Sequence, residues 1–220
     1  MSETRVFILA DGKGTRWNNH LGIPKHLVEV AGEPLLARTV RLLKERGEHD
    51  IIISSHNEEY TAFAPTTGYR NNHFEIDKIF CTQPDWEVTR TNIFLLGDVF
   101  YTEEAIDKIF SEQTETITFF GREKGSELTG GRYGELFAVK VLPGGTSILE
   151  YACKLVKWQF VNGIISRCKL WELYRLTRAT DLTAHVIKGG FVSIDDWTED
   201  IDSPSDYERF IKRYEERTSN

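Results

Sequence analysis

The sequence predicts a three-layer, Rossmann-like α/β fold on an open, mostly parallel sheet, and two observations carry that expectation. Short apolar runs, Val6–Ala10 and Ile51–Ile53, flank a segment of helical period, Leu35–Leu43. That is the pattern of strands buried on both faces and joined by a crossover helix. The first run also breaks directly into Gly12-Lys13-Gly14-Thr15-Arg16. In an open α/β sheet, such a loop lies at the carboxyl end of a strand, where ligands sit.

Residues 6–53 read as one right-handed βαβ unit. Glu33-Pro34 marks the helix start, with the proline preset for a first turn. Leu35, Leu36, Val40, Leu42 and Leu43 form its apolar face, and Gly47 closes it. The second strand ends in Ser54-Ser55-His56, and residues 57–73 carry breakers (Pro65, Gly68, Asn71-Asn72) around a short helical stretch. Phe74–Cys81 reads as a third strand and Thr91–Gly97 as a fourth, ending in Leu96-Gly97-Asp98. Glu103–Phe110 reads as a helix and Thr116–Phe120 as a strand. The polar, glycine-rich residues 121–134 read as a mobile loop, followed by a strand over Leu136–Val141 and a turn at Pro143-Gly144-Gly145. Ser147–Phe160 and Cys168–Leu176 read as helices, with Trp158 and Trp171 expected in the core. Thr183–Val192 reads as strand, Gly189-Gly190 bend and strand. Ser203-Pro204 opens a charged, mostly solvated terminal helix, Ser205–Arg217.

A length of 220 residues makes one domain the default. The formal charge of −7 argues against a nucleic-acid partner, which calls for a basic face. Cys81, Cys153 and Cys168 show no paired spacing, and the amino terminus lacks the order of a signal peptide, so reduced thiols in a cytoplasmic chain are expected. No apolar run approaches the ~20 residues that span a bilayer, so no membrane role is expected. His20, His26, His49, His56, His73 and His185 show no zinc spacing with the cysteines and receive no role.

The glycines of the opening loop can turn with positive φ and expose amides to an anion, and Lys13, Arg16 and Lys25 add positive charge. A dinucleotide fingerprint fails because Trp17 stands at the third glycine position, and the spacing of a P-loop is absent. A kinase glycine loop fails for the same missing glycine.

Leu9, Ala10, Gly12, Gly14, Thr15, Arg16, Pro24 and Lys25, with Leu27-Val28-Glu29-Val30-Ala31-Gly32-Glu33-Pro34-Leu35, resemble the signature of the nucleotidyltransferases that make nucleoside-diphosphate sugars and related activated alcohols. The resemblance implies an enzyme that transfers NMP from an NTP to a sugar phosphate or phospho-alcohol and releases pyrophosphate. It implies an NTP-binding part over about 1–120, an inserted acceptor-binding sub-region over about 121–195, and a metal motif with a helix over 196–220. Such chemistry must hold several anions together, so fixed cations and Mg²⁺ are required. Mg²⁺ is held by one or two carboxylates plus substrate phosphates.

By resemblance, Asp98 and Asp202 are the metal carboxylates, with Asp200 in reserve, because other members place their ligand there. Lys25 is the contact to the α-phosphate and Arg16 the holder of the β- and γ-phosphates. Leu9, Ala10, Asp11, Gly12, Gly14 and Thr15 form the nucleotide cradle, with Gln83, Thr89 and Asn92 as further pocket residues. The run Ile201-Asp202-Ser203-Pro204-Ser205-Asp206-Tyr207 resembles the form found in phosphocholine cytidylyltransferases and so favours a cytidylyltransferase. Arg122, Lys124 and Arg132 are candidates for an acceptor phosphate, with Glu135 and Lys140 beside them. A homodimer is a further expectation.

Two departures stand against the family pattern: Asp11 places a carboxylate inside the phosphate loop, and the segment before the fourth strand is short. They keep open a non-catalytic nucleotide-binding module. A guanylyltransferase for a pterin cofactor is the other alternative.

Overall fold

The computed structural model describes residues 3–12, 14–68, 76–112 and 115–218. Lys13, Asn71, Asn72, His73 and the start of the expected third strand, Phe74-Glu75, lie outside the described residues. The chain opens with β1 (Thr4–Leu9), a small hairpin of β2 (Glu29–Val30) and β3 (Glu33–Pro34), then α1 (Leu35–Glu45), β4 (Ile51–Ser54) and β5 (Thr66–Thr67). The short α2 (Asp77–Phe80), β6 (Thr91–Leu96), β7 (Val99–Phe100) and α3 (Glu103–Ser111) follow. The long hairpin of β8 (Ile117–Lys124) and β9 (Tyr133–Val141) precedes α4 (Thr146–Val161) and α5 (Leu170–Thr177). β10 (Phe191–Ser193), β11 (Glu199–Asp200) and α6 (Pro204–Thr218) complete it.

Seven strands form one sheet in the order β10-β8-β9-β6-β1-β4-β5. β6, β1, β4 and β5 run parallel, and β9 is antiparallel to both its neighbours. The alternation along β1 explains why it is apolar throughout. Val6, Ile8 and Ala10 face α1 and α3 through Leu36, Val40, Ala105 and Ile109, whereas Phe7 and Leu9 face α2, α4 and α5 through Ile79, Val156 and Leu173. A third cluster lies at the carboxyl end of the sheet, where Trp17, Val28, Leu35, Phe100, Ile201 and Phe210 pack together. It joins the opening loop to α6.

The fold class is as expected, and several elements are not. The described part of Phe74–Cys81 is a turn and α2, because Ile76, Ile79 and Phe80 fall at helical rather than alternating spacing, with Ile76 and Ile79 buried in the second cluster. β6 therefore pairs directly with β1. Residues 121–124 and 133–134 belong to the strands of a β-hairpin, and the connecting loop is confined to 125–132. The glycines there mark close strand contact, since a Cβ at Gly121 would stand 2.1 Å from the Glu135 carbonyl oxygen, beside a register shift at Phe120/Gly121. Glu33-Pro34 forms β3, with Pro34 (φ −59°, ψ 140°) ahead of α1 rather than in its first turn. Residues 183–188 form no strand: the backbone N–H and carbonyl of Lys188 bond the Tyr174 hydroxyl instead of a neighbouring strand. Trp158 is 56% exposed, not core, whereas Trp171 packs against the second cluster.

Candidate active site

β1 delivers the glycine loop to the centre of the sheet's carboxyl edge. Gly14 takes φ 57°, a conformation disfavoured for other residues, and lets the chain turn toward Trp17. Gly12 admits a close approach: a Cβ there would stand 3.4 Å from Lys78 Nζ and 4.0 Å from Lys25 Cε. Trp17 is buried in the third cluster, and its indole N–H donates to the Ile23 carbonyl at 2.8 Å. This fastens both ends of the segment that leads to Pro24 and Lys25.

Asp98 follows the end of β6. Gly97 lets it reach the loop, because its amide donates to Leu9 O at 3.0 Å and a Cβ would lie 3.0 Å from Ala10 Cβ. Asp202 arrives 177 residues after Lys25, carried by the pairing of β11 with β7. The Ile201 amide donates to the Asp98 carbonyl at 2.9 Å and sets the two acidic residues side by side.

The ammonium of Lys25, 7% exposed, bridges them: it contacts Asp98 directly and lies 2.9 Å from Asp202 Oδ1. Arg16, mostly in solvent, pairs with Asp202 from outside. Burial opposes the charge on Lys25, but Asp98 and Asp202 outweigh it and hold its pKa above the ordinary lysine value. Burial likewise opposes ionisation of Asp98, and Lys25, Lys78 and His26 outweigh it and hold its carboxyl below the usual range. Asp200 behaves oppositely. Burial, with Glu135, Asp202 and Glu199 around it, pushes its pKa well above the ordinary value.

Lys78 was not legible in the sequence. The turn into α2 brings it beside Gly12 and within electrostatic reach of Asp98. The helical spacing of Ile76 and Ile79 was the available signal. His26 and Tyr60, also unassigned, form a buried pair with Nδ1 3.0 Å from the hydroxyl oxygen. Burial and the nearby Lys25 and Lys78 outweigh the opposing Asp98 and lower the His26 pKa to about 4. Asp11 is held by His56, whose backbone N–H donates to its carboxylate at 3.3 Å and whose Nδ1 lies 2.8 Å away. The carboxylate is thus turned to the end of β4.

Arg122 and Glu135 line a cleft with Arg16 and Asp202, whereas Gln83, Thr89, Asn92 and Lys140 do not converge here. Asn92 is buried at the amino end of β6, donating to Glu87 O and Arg90 O and accepting from Glu87 N. Gln83 and Thr89 belong to the same segment, whose Asp85 carbonyl accepts from Arg5 at the amino end of β1. Lys140 donates to the carbonyls of Ile109, Phe110 and Glu112 and so caps α3. Arg122 forms a buried ion pair with Glu199 at 2.8 Å. Among the described residues no group of three or more potential metal ligands is present. The donors available to a cation are Asp98 and Asp202, and the Lys25 ammonium stands between them as a bound positive charge.

A mostly parallel sheet thus gathers a glycine loop, fixed cations and paired carboxylates at its carboxyl edge. The chain belongs to the MobA-like NTP transferase family, whose profile matches residues 6–116, just over half of its length. Over 60 residues it is 47% identical to the bifunctional IPC transferase and DIPP synthase of Thermococcus kodakarensis, a match covering 27% of this chain and 13% of that protein. Its fold is similar to that of the CTP:phosphocholine cytidylyltransferase from Streptococcus pneumoniae, at 14% identity and TM-score 0.60 over 96% of this chain and 98% of that one. It is also similar to the inositol-1-phosphate CTP transferase from T. maritima, at 14% identity and TM-score 0.61 over 97% and 96% of the two chains. Nucleotidyltransferases of this kind generally use a divalent metal. No helix among the described residues is long and apolar enough to cross a membrane.

Proposed function

We propose that this chain transfers NMP from an NTP to the phosphate of a small phosphorylated acceptor, a sugar phosphate or phospho-alcohol, and releases pyrophosphate. The observation that carries the reading is the convergence of Asp98 and Asp202 on Lys25 beside Gly12. The amides of Gly12, Gly14 and Thr15 and the guanidinium of Arg16 hold the β- and γ-phosphates. Lys25, with Lys78 beside it, places positive charge on the transferring α-phosphate, where the transition state spreads negative charge. The nucleophile is already an anionic phosphate oxygen, so no strong base is needed. Asp98 and Asp202 would hold Mg²⁺, which supplies Lewis-acid stabilisation of the phosphates when bound. Burial and the neighbouring Glu135, Asp202 and Glu199 oppose ionisation of Asp200, which stays the reserve ligand. CTP is the favoured donor because of the run Ile201-Asp202-Ser203-Pro204-Ser205-Asp206-Tyr207. Asp11 is occupied by His56 and does not oppose the triphosphate, which removes the main reason for a non-catalytic module.

The test is Mg²⁺-dependent pyrophosphate release with each of four NTPs against a panel of phosphate monoesters, beside Asp98→Ala. Turnover with one donor, abolished in the variant, is the expected result. Absence of turnover with every pair, or unchanged turnover in Asp98→Ala, overturns the reading.

A further inference from the structure

A second hollow opens from the proposed reaction centre. Near Arg16 and Asp202 lies a small cleft of about 80 Å³, which shares Tyr133 and Glu135 with a cavity of about 590 Å³ between the β8–β9 hairpin and α5. The larger cavity has five cationic side chains in its lining, Lys124, Arg132, Arg167, Lys169 and Arg175, against three carboxylates, Glu123, Glu135 and Glu172. That excess is notable in a chain of formal charge −7. Arg175 pairs with Glu172 at 3.0 Å and donates to the Leu182 carbonyl, although its buried Nε has no partner, and Glu172 also accepts from the Lys169 amide. Among the described residues, Lys124, Arg132 and Arg167 take part in no side-chain ion pair. They are the cations left for a ligand.

The charge of the lining decides which tail it takes. A quaternary ammonium group is held on open aromatic faces. Trp171 is engaged by Phe191, stacked at 5.9 Å, by Arg175 at 6.0 Å and, through its N–H, by the Gly134 carbonyl, so Tyr133, 79% exposed, is the open aromatic of the lining. A cationic tail beside it would meet Arg175 and the unpaired cations Lys124, Arg132 and Arg167.

We propose that this cavity receives a second anionic group of the acceptor, remote from the phosphate that reacts, so that the substrate class is a polyol phosphate with an acidic far end and not a phospho-alcohol with a cationic one. The proposal rests on the reading above only for which end of the acceptor reacts. The hairpin supplies Lys124 and Arg132, Arg167 stands on the segment before α5, and together they form a charged rim over the Trp171 floor. Arginine suits this task because its planar fork binds phosphate or carboxylate in bidentate fashion.

Calorimetry on the full chain tests it without turnover, using glucose 1-phosphate, glucose 1,6-bisphosphate, glucuronic acid 1-phosphate and phosphocholine as probes. The bisphosphate and the uronic acid phosphate are expected to bind at least tenfold tighter than glucose 1-phosphate, and phosphocholine weaker than all three. A gain with only one of the two acids would identify the group as phosphate or as carboxylate, and either supports the proposal. Arg132→Gln/Arg167→Gln is expected to erase the gain over glucose 1-phosphate while leaving CTP binding unchanged; Lys212→Gln, on the exposed side of α6, is expected to keep it. Equal binding of all the glucose phosphates, tighter binding of phosphocholine, or a gain that survives the double variant overturns the proposal. If the gain is lost in the double variant but no NTP gives pyrophosphate, the cavity stands and the catalytic reading fails. Turnover with phosphocholine as best acceptor does the reverse.

Discussion

Replacing Lys25 by Gln gives the sharpest test of how the two carboxylates are held. Lys25 is 7% and Asp98 8% exposed, and the ammonium is the group in contact with both Asp98 and Asp202. Removing one partner of a buried ion pair costs about 3–5 kcal/mol, because the other charge is left without compensation. Two features place this case near the lower end, about 3 kcal/mol. Lys78 still acts on Asp98, and Asp202 keeps Arg16. Urea unfolding in EDTA at neutral pH, followed by circular dichroism, would measure wild type, Lys25→Gln, Asp98→Asn and the double variant. The double variant is expected to recover at least about 1 kcal/mol relative to the sum of the single losses, within the usual range for residues in contact. Mg²⁺ should then stabilise Lys25→Gln at lower concentration than wild type, since the ammonium no longer occupies the space between the acids. Saturation to 100 times the dissociation constant is worth about 2.7 kcal/mol. A Lys25→Gln protein as stable in EDTA as wild type, or strictly additive losses, would refute the reasoning.

His26 predicts a pH window. Its pKa is lowered from 6.5 to about 4, so as pH falls the unfolded chain takes the proton first. Stability is complete above about 6.5 and is lost down to about 4, by about 3 kcal/mol in all; His26→Gln should flatten that acid slope, and identical slopes would exclude His26 as its source. Gly97→Ala should cost about 1–3 kcal/mol by overpacking. Because the added methyl meets Ala10 Cβ and Leu9 O, both at 3.0 Å, kcat/KM should fall at least tenfold as the loop shifts, measured beside a denaturation curve. Asp202→Asn should abolish metal-dependent turnover, whereas Asp200→Asn, at a carboxyl whose ionisation its surroundings oppose, should retain most of it; the reverse order would make Asp200 the ligand.

Much of the centre was legible because it is local. A strand, two glycines and a Pro-Lys pair occur within twenty-odd residues, and Gly97-Asp98 follows a continuous apolar run, so neither needs long-range knowledge. Asp202 could be preferred to Asp200 from the Ser203-Pro204 motif that follows it, but the ladder between β7 and β11 that carries it to Lys25 is not advertised by two-residue strands. Lys78 was hidden because Ile76, Ile79 and Phe80 satisfy an apolar count for a strand as well as for a helical turn. Asn92 was misleading for a related reason. A polar residue near a strand invites a ligand role, yet its position at the amino end of β6 lets it organise the preceding turn. The hairpin at 117–141 was masked by glycines that composition reads as loop and the fold uses for close strand approach.

The third cluster has a consequence for how this protein comes into being. Trp17, from the start of the chain, completes its packing only against Ile201 and Phe210, near the other end. Asp202 is supplied by the same late segment. A ribosome-bound chain that has not yet released α6 can pair its central strands, but its opening loop has no floor and Lys25 lacks its Asp202 partner. Triphosphate binding should therefore switch on abruptly once α6 has left the ribosome. Small lesions in α6, such as Phe210→Ala, should be read by quality control as damage to the glycine loop.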